Sequence, residues 1–133
     1  MPDVLKTYLA VMLGGAAGTA LRFGFSNWFA GRFGETFPIG TIVVNVTGCF
    51  VIGFFATLTG PDGMFMASSL TRQVVMIGIL GGYTTFSSFS LQTLNLVREG
   101  EWLHAGWNVL LSMILCLVAV WLGQMMASFI NQR

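Results

Sequence analysis

Four long apolar runs, broken only by isolated polar residues, fill most of the 133-residue chain. Charges gather between them, at Asp3 and Lys6, Arg32 and Glu35, Asp62 and Arg72, Arg98 to Glu101, and Arg133, and only Arg22 falls well inside a run. A helix rises 1.5 Å per residue and a bilayer core is ~30 Å thick, so about 20 apolar residues suffice to cross it. The pattern predicts spans at residues 7–30, 39–58, 74–97 and 103–129, packed as a single four-helix transmembrane domain over 1–133. Gly31 to Glu35 reads as a loop closed by Pro38, and Gly60-Pro61-Asp62-Gly63 as a tight turn in which proline presets one dihedral and glycine allows unusual ones. Residues 64–69 read as a short interfacial piece.

The polar positions inside the runs carry more information than the runs themselves. In the first span Gly14 and Gly18 form a small-xxx-small stripe that lets helices approach closely, and Arg22 follows one turn later on the same face. An arginine at such depth is paired, faces a polar cavity, or snorkels to the headgroups. In the second span Thr41, Asn45 and Gly48 share a face, with Asn45 the one amide in its interior, a candidate for interhelical glue or for a site. In the fourth, Asn108, Ser112 and Cys116 fall at i, i+4 and i+8 and draw a semi-polar line. Trp102 and Trp107 suit one membrane interface and Phe129 the other.

The third span is the least regular. Residues 73–97 carry no formal charge, yet they hold Gly81-Gly82-Tyr83-Thr84-Thr85-Phe86-Ser87-Ser88-Phe89-Ser90. Paired glycines followed by paired β-branched threonines weaken a helix, so a break at about Gly81 to Thr85 is expected. Irregular backbone at membrane depth persists only where it is buried in protein or lines a polar cavity. A break frees carbonyls before it, which suit a cation, and N–H groups after it, which suit an anion. The plainer alternative is that Gly78, Gly81 and Gly82 only admit a neighbouring helix. Phe86 and Phe89, at i and i+3, share a face and are interleaved with hydroxyls, although such pairs are more often ordinary packing.

Composition narrows the function classes. Only 8% of residues are charged, against roughly 25% in soluble domains, and mean hydropathy is +0.78. A net charge of +1 without a Lys/Arg cluster excludes a nucleic-acid footprint. No span has Asp or Glu in its core, which removes the usual proton relay and the carboxylate ring of a cation pore. Cys49 and Cys116 lie in apolar runs, where a thiol behaves as a small hydrophobe, and His104 has no evident partner, so enzymatic chemistry is not expected. The first run lacks a cleavage site near its end and is expected to stay in the mature protein. With four spans, Lys6, Arg72 and Arg133 fall on one side and Arg32 and Arg98 on the other, almost no orientational bias. Such a chain could insert both ways and pair with an inverted copy.

The block from Gly81 to Ser90 resembles the G-G-x-T-T-F-S-[ST]-F-S signature of the Fluc, or CrcB, family of fluoride channels. Gly14-Gly15 through Gly18 to Leu21-Arg22 is similar to that family's first helix, and Pro38-Ile39-Gly40-Thr41 through Asn45 to its second-helix motif. The resemblance covers nearly the whole chain. It implies an all-α, dual-topology antiparallel homodimer in the inner membrane, with two fluoride pores, passive export of fluoride from the cytoplasm and a structural sodium ion at the dimer centre. By the same resemblance, the carbonyls of Gly81 and Thr84 would hold sodium, and Phe86, Phe89 and Asn45 would line the pore. Ser90, Thr93 and Ser112 would add polar wall, and Arg22 would attract anions at a vestibule. This chain departs from the family pattern at Cys116 and Val120 on the fourth-helix track, at Gln92, where Glu is frequent, and at Tyr83, where Leu is commoner. The runner-up reading is a small dual-topology multidrug-type exporter coupled to protons, for which the intramembrane carboxylate is missing.

Overall fold

A computed structural model describes residues 2–133, and among these every regular element is helical. Helix α1 is Pro2–Phe33 and α2 is Ile39–Leu58. The third span is composite: α3 (Ser69–Gln73), a π-helical stretch (Val74–Ile79), α4 (Leu80–Tyr83), then α5 (Phe86–Arg98). Helix α6 is Trp102–Asn131. Four helical segments are long and apolar enough to cross a membrane, the third being Ser69–Arg98. Residues 64–68 precede that helix as turn and coil, and Ser68 caps it by accepting from Thr71 N–H.

Glycine decides which helices touch. α1 lies along the π-helical stretch and α4, and α2 lies along α6. A Cβ at Gly14 would stand 2.9 Å from the Val74 carbonyl oxygen, one at Gly18 would run into Ile79, and one at Gly78 would meet Val11. On the other seam Gly53 abuts the Val120 backbone and Gly123 that of Phe50. Lipid tails are as apolar as leucine, so such close packing, rather than a hydrophobic force, holds membrane helices together. Asn131 fastens the end of α6 by accepting from Met64 N–H at 2.8 Å and donating to the Thr57 carbonyl at 3.2 Å.

The α5–α6 connection needs a left-handed residue. Gly100 supplies it at φ +80°, Gly100 N–H donates to Val97, and Glu101 N–H donates to Leu96 at 2.8 Å, a Schellman closure of the helix end. His104 does have a partner, contrary to the sequence reading: its Nδ1 lies 2.8 Å from Glu101 Oε2 one turn back on the exposed surface. That spacing is local to α6 and leaves the site untouched.

Candidate functional site

The break in the third span is narrower than the sequence suggests. The helix continues through both glycines to Tyr83, and only Thr84 (φ −85°, ψ 157°) and Thr85 (φ −152°, ψ 117°) are extended. Gly82 stays helical because it presses on the Gly15 backbone, and Gly78 likewise serves α1. Gly81 packs on no neighbouring helix; a Cβ there would meet nothing nearer than the Met76 carbonyl at 3.8 Å. Packing therefore accounts for two of the three glycines and leaves the third free.

Asn45 holds the break open. Its Oδ1 accepts from Thr85 N–H at 2.7 Å and its Nδ2 donates to the Thr85 carbonyl at 2.9 Å, so the amide takes over the donor that the helix lost and binds the adjoining carbonyl as well. The side chain keeps one further N–H. Thr85 also caps α5: Ser88 N–H donates to its Oγ1 at 3.1 Å. Gly48, one turn from Asn45, leaves the space into which Thr84 Cγ2 fits.

These bonds divert two helical donors. In an unbroken helix Thr85 N–H would serve the Gly81 carbonyl and Ser88 N–H the Thr84 carbonyl. Here they go to Asn45 and to Thr85 Oγ1. The carbonyls of Gly81 and Thr84 have thus lost their i+4 partners, and hard oxygen donors of this kind fit a hard cation. Arg22 reaches the same turn, its Nε donating to the Gly82 carbonyl at 3.0 Å. The arginine is paired with backbone, on the face that Gly14 and Gly18 also use.

Beyond the break, Phe86 and Phe89 lie with centroids 5.2 Å apart and ring planes at 52°. Their environments differ: Phe86 is 71% exposed and Phe89 8%. Both border a pocket of about 230 Å³ shared with Asn45, Cys49, Thr84, Thr85, Ser112, Met113 and Cys116. Behind it runs a buried polar line: Asn108, 1% exposed, donates to Thr93 Oγ1 at 2.8 Å, and Ser112 Oγ lies 3.5 Å from Asn108 Oδ1. Thr93 in turn donates to the Phe89 carbonyl at 2.8 Å. Ser90 stands apart, exposed and bonded to the Phe86 carbonyl at 2.9 Å.

Two sequence departures find their place. Tyr83 Oη meets Thr47 Oγ1 at 2.9 Å, an interhelical bond that leucine could not make. Gln92 borders a second, polar recess of about 350 Å³ with Asn95, Glu99 and the end of α1.

The pocket, the break and the glycine seams lie within the part of the chain that matches a known family. The family model described as CrcB-like protein, Camphor Resistance (CrcB), matches residues 9–124. The chain belongs to the CrcB family. A protein of Opitutus terrae named fluoride-specific ion channel FluC is 58% identical over 127 residues, covering 96% of this chain and 96% of its own. Proteins of the same name from Rhodospirillum rubrum and Methylocella silvestris are 55% and 54% identical, over 95% and 94% of this chain. The CrcB chain is accordingly a multi-pass membrane protein, and its relatives are named as channels, not enzymes.

Of the candidate residues, the structure gathers Asn45, Phe86, Phe89 and Ser112 at one pocket, joins Thr93 to it through Asn108, and leaves Ser90 outside. Gly81 and Arg22 lie at the break, and Thr84 belongs to both the break and the pocket. Thr85, Cys49, Met113 and Asn108 were not among the candidates. Cys49 and Asn108 had a legible signal, each lying one turn from a candidate on the same face, Asn45 and Ser112 respectively. Thr85 had a weaker one, a hydroxyl three residues before Ser88.

Proposed function

We propose that this CrcB-family protein is a fluoride-selective channel that lets fluoride leave the cytoplasm down its gradient. One observation carries the reading: a helix break at membrane depth opens beside a pocket that offers donors and no acid. Fluoride is small and strongly hydrated, and isolating a charge in low dielectric costs tens of kcal/mol by a Born estimate. A pathway must replace the lost water with several donors, none so strong that the ion cannot leave. The remaining N–H of Asn45, the Ser112 hydroxyl and the first amides of α5 can each donate, with the helix dipole adding positive potential. Phe86 and Phe89 contribute ring edges, the positive part of the quadrupole. Thr93 and Asn108 extend the polar wall. Arg22, beside the break, adds the nearest fixed positive charge.

The functional unit in this reading is a homodimer of two oppositely inserted copies in the inner membrane, with two pores and lipid around its apolar surface. The even split of Lys and Arg supports dual insertion. The carbonyls of Gly81 and Thr84, freed of their helical donors, fit a sodium ion shared with the second copy, whose charge would bind the two breaks together. Proton coupling finds no carboxylate here.

Liposomes loaded with fluoride and carrying the purified protein should release it without a pH gradient. Release of chloride but not fluoride would sink the reading. Exchanging sodium for a bulky organic cation throughout purification should lower the yield of dimer, whereas unchanged dimer would remove the cation from its proposed role.

A further inference from the structure

We infer that Cys49 and Cys116 form a two-thiol site for a thiophilic divalent metal ion in the wall of the pocket that Phe86 and Phe89 border. As second and fourth spans, α2 and α6 run parallel, and Gly53 pressed on Val120 sets their register. One turn back from that contact on both helices stand Cys49 and Cys116, and one turn further Asn45 and Ser112. The ladder places the two thiols opposite each other. Both line the pocket, and both are free and half-buried.

The ligand set selects the metal. Among the described residues no group of three or more His, Cys, Asp or Glu could hold an ion, so a tetrahedral zinc site is not available. Two thiolates alone suit a soft ion that accepts linear coordination, of which Hg2+ is the type. The step balances: two thiols and one Hg2+ give a neutral bis-thiolate complex and release two protons. Neutrality matters, because an uncompensated charge at this depth would be costly. The bound ion would stand against the Phe86 and Phe89 rings and narrow the pocket. Its effect on flux rests on the channel reading; its binding does not.

The test titrates detergent-solubilised protein with Hg2+, following the metal–thiolate charge-transfer absorption and the free thiols that remain. The expected result is one ion per chain, with both thiols consumed together. Cys49→Ser and Cys116→Ser each remove the chelate and should weaken binding about 100-fold, the scale of a lost effective concentration. Two ions bound independently per chain, or single variants binding as tightly as the unaltered protein, would overturn the site. Cys49→Ala serves if Cys49→Ser fails to give a monodisperse dimer. In liposomes, Hg2+ should slow fluoride release from the unaltered protein and not from the double variant, each compared with its own metal-free rate. Unchanged release with one ion bound would overturn the placement beside the ion path. No release before metal is added would overturn the channel reading and leave binding alone to decide the site.

Discussion

At the scale of single residues, Asn45 and the two phenylalanines show how little a side chain's identity says about its duty. Asn45 spends its carbonyl and one N–H on the Thr85 backbone, so it shapes the break before it can serve any ion. Phe86 and Phe89 differ in burial, which separates structural loss from functional loss. Phe89→Ile should cost about 1–3 kcal/mol of stability, because the smaller, differently shaped side chain leaves part of the buried ring's volume unfilled. Phe86→Ile, at an exposed position, should stay within about 0.5 kcal/mol. Both should slow fluoride release at least tenfold if the rings border the path, measured in liposomes beside thermal melts of the same preparations. Normal release in both would take the rings off it.

At the scale of elements, the third span works as two helices joined by two extended threonines. Its first part is gripped by α1 and its second is capped by Thr85. The glycines along the grip are not equivalent. Gly18→Ala drives a methyl into Ile79 and should lower stability by about 1–3 kcal/mol, in the range of overpacked cores. Gly24→Ala, with nothing within 4 Å of the new methyl, should leave the melting temperature unchanged or slightly raised. Equal losses at both positions would mean that the α1 seam is not what these glycines serve. The glycine stripe at 14 and 18 was readable from spacing alone, and so was Arg22 on its face. That Gly82 belongs to packing and Gly81 does not was unreadable, because adjacent glycines look alike until a neighbouring helix chooses between them.

At the scale of the whole molecule, the surface is apolar over most of each span, as lipid or a second copy requires: large side chains such as Leu13, Phe23, Ile77 and Leu117 are exposed. The nearly even distribution of Lys and Arg gives the orientation prediction. Replacing Arg32 and Arg98 together by Ser leaves positive charge on one side only, so the chain should insert predominantly in one orientation. If the channel is an antiparallel dimer, fluoride release should fall with it, and side-specific labelling of the C-terminus should report the bias. Full release from a population labelled on one side alone would exclude the antiparallel arrangement.

The number of spans, their approximate limits, the absence of intramembrane acid and the residue types of the site were all determined by the sequence, because bilayer thickness and the cost of buried charge act on each segment separately. The family signature pointed further, to an ion and an assembly. Tertiary structure alone decided that the break lies at Thr84 and Thr85, that Asn45 pairs with Thr85, that Asn108 links Thr93 to Ser112, and that Cys49 and Cys116 border one pocket. Each of these depends on the register between helices. That register is set by where one backbone can approach another, a property of two segments together.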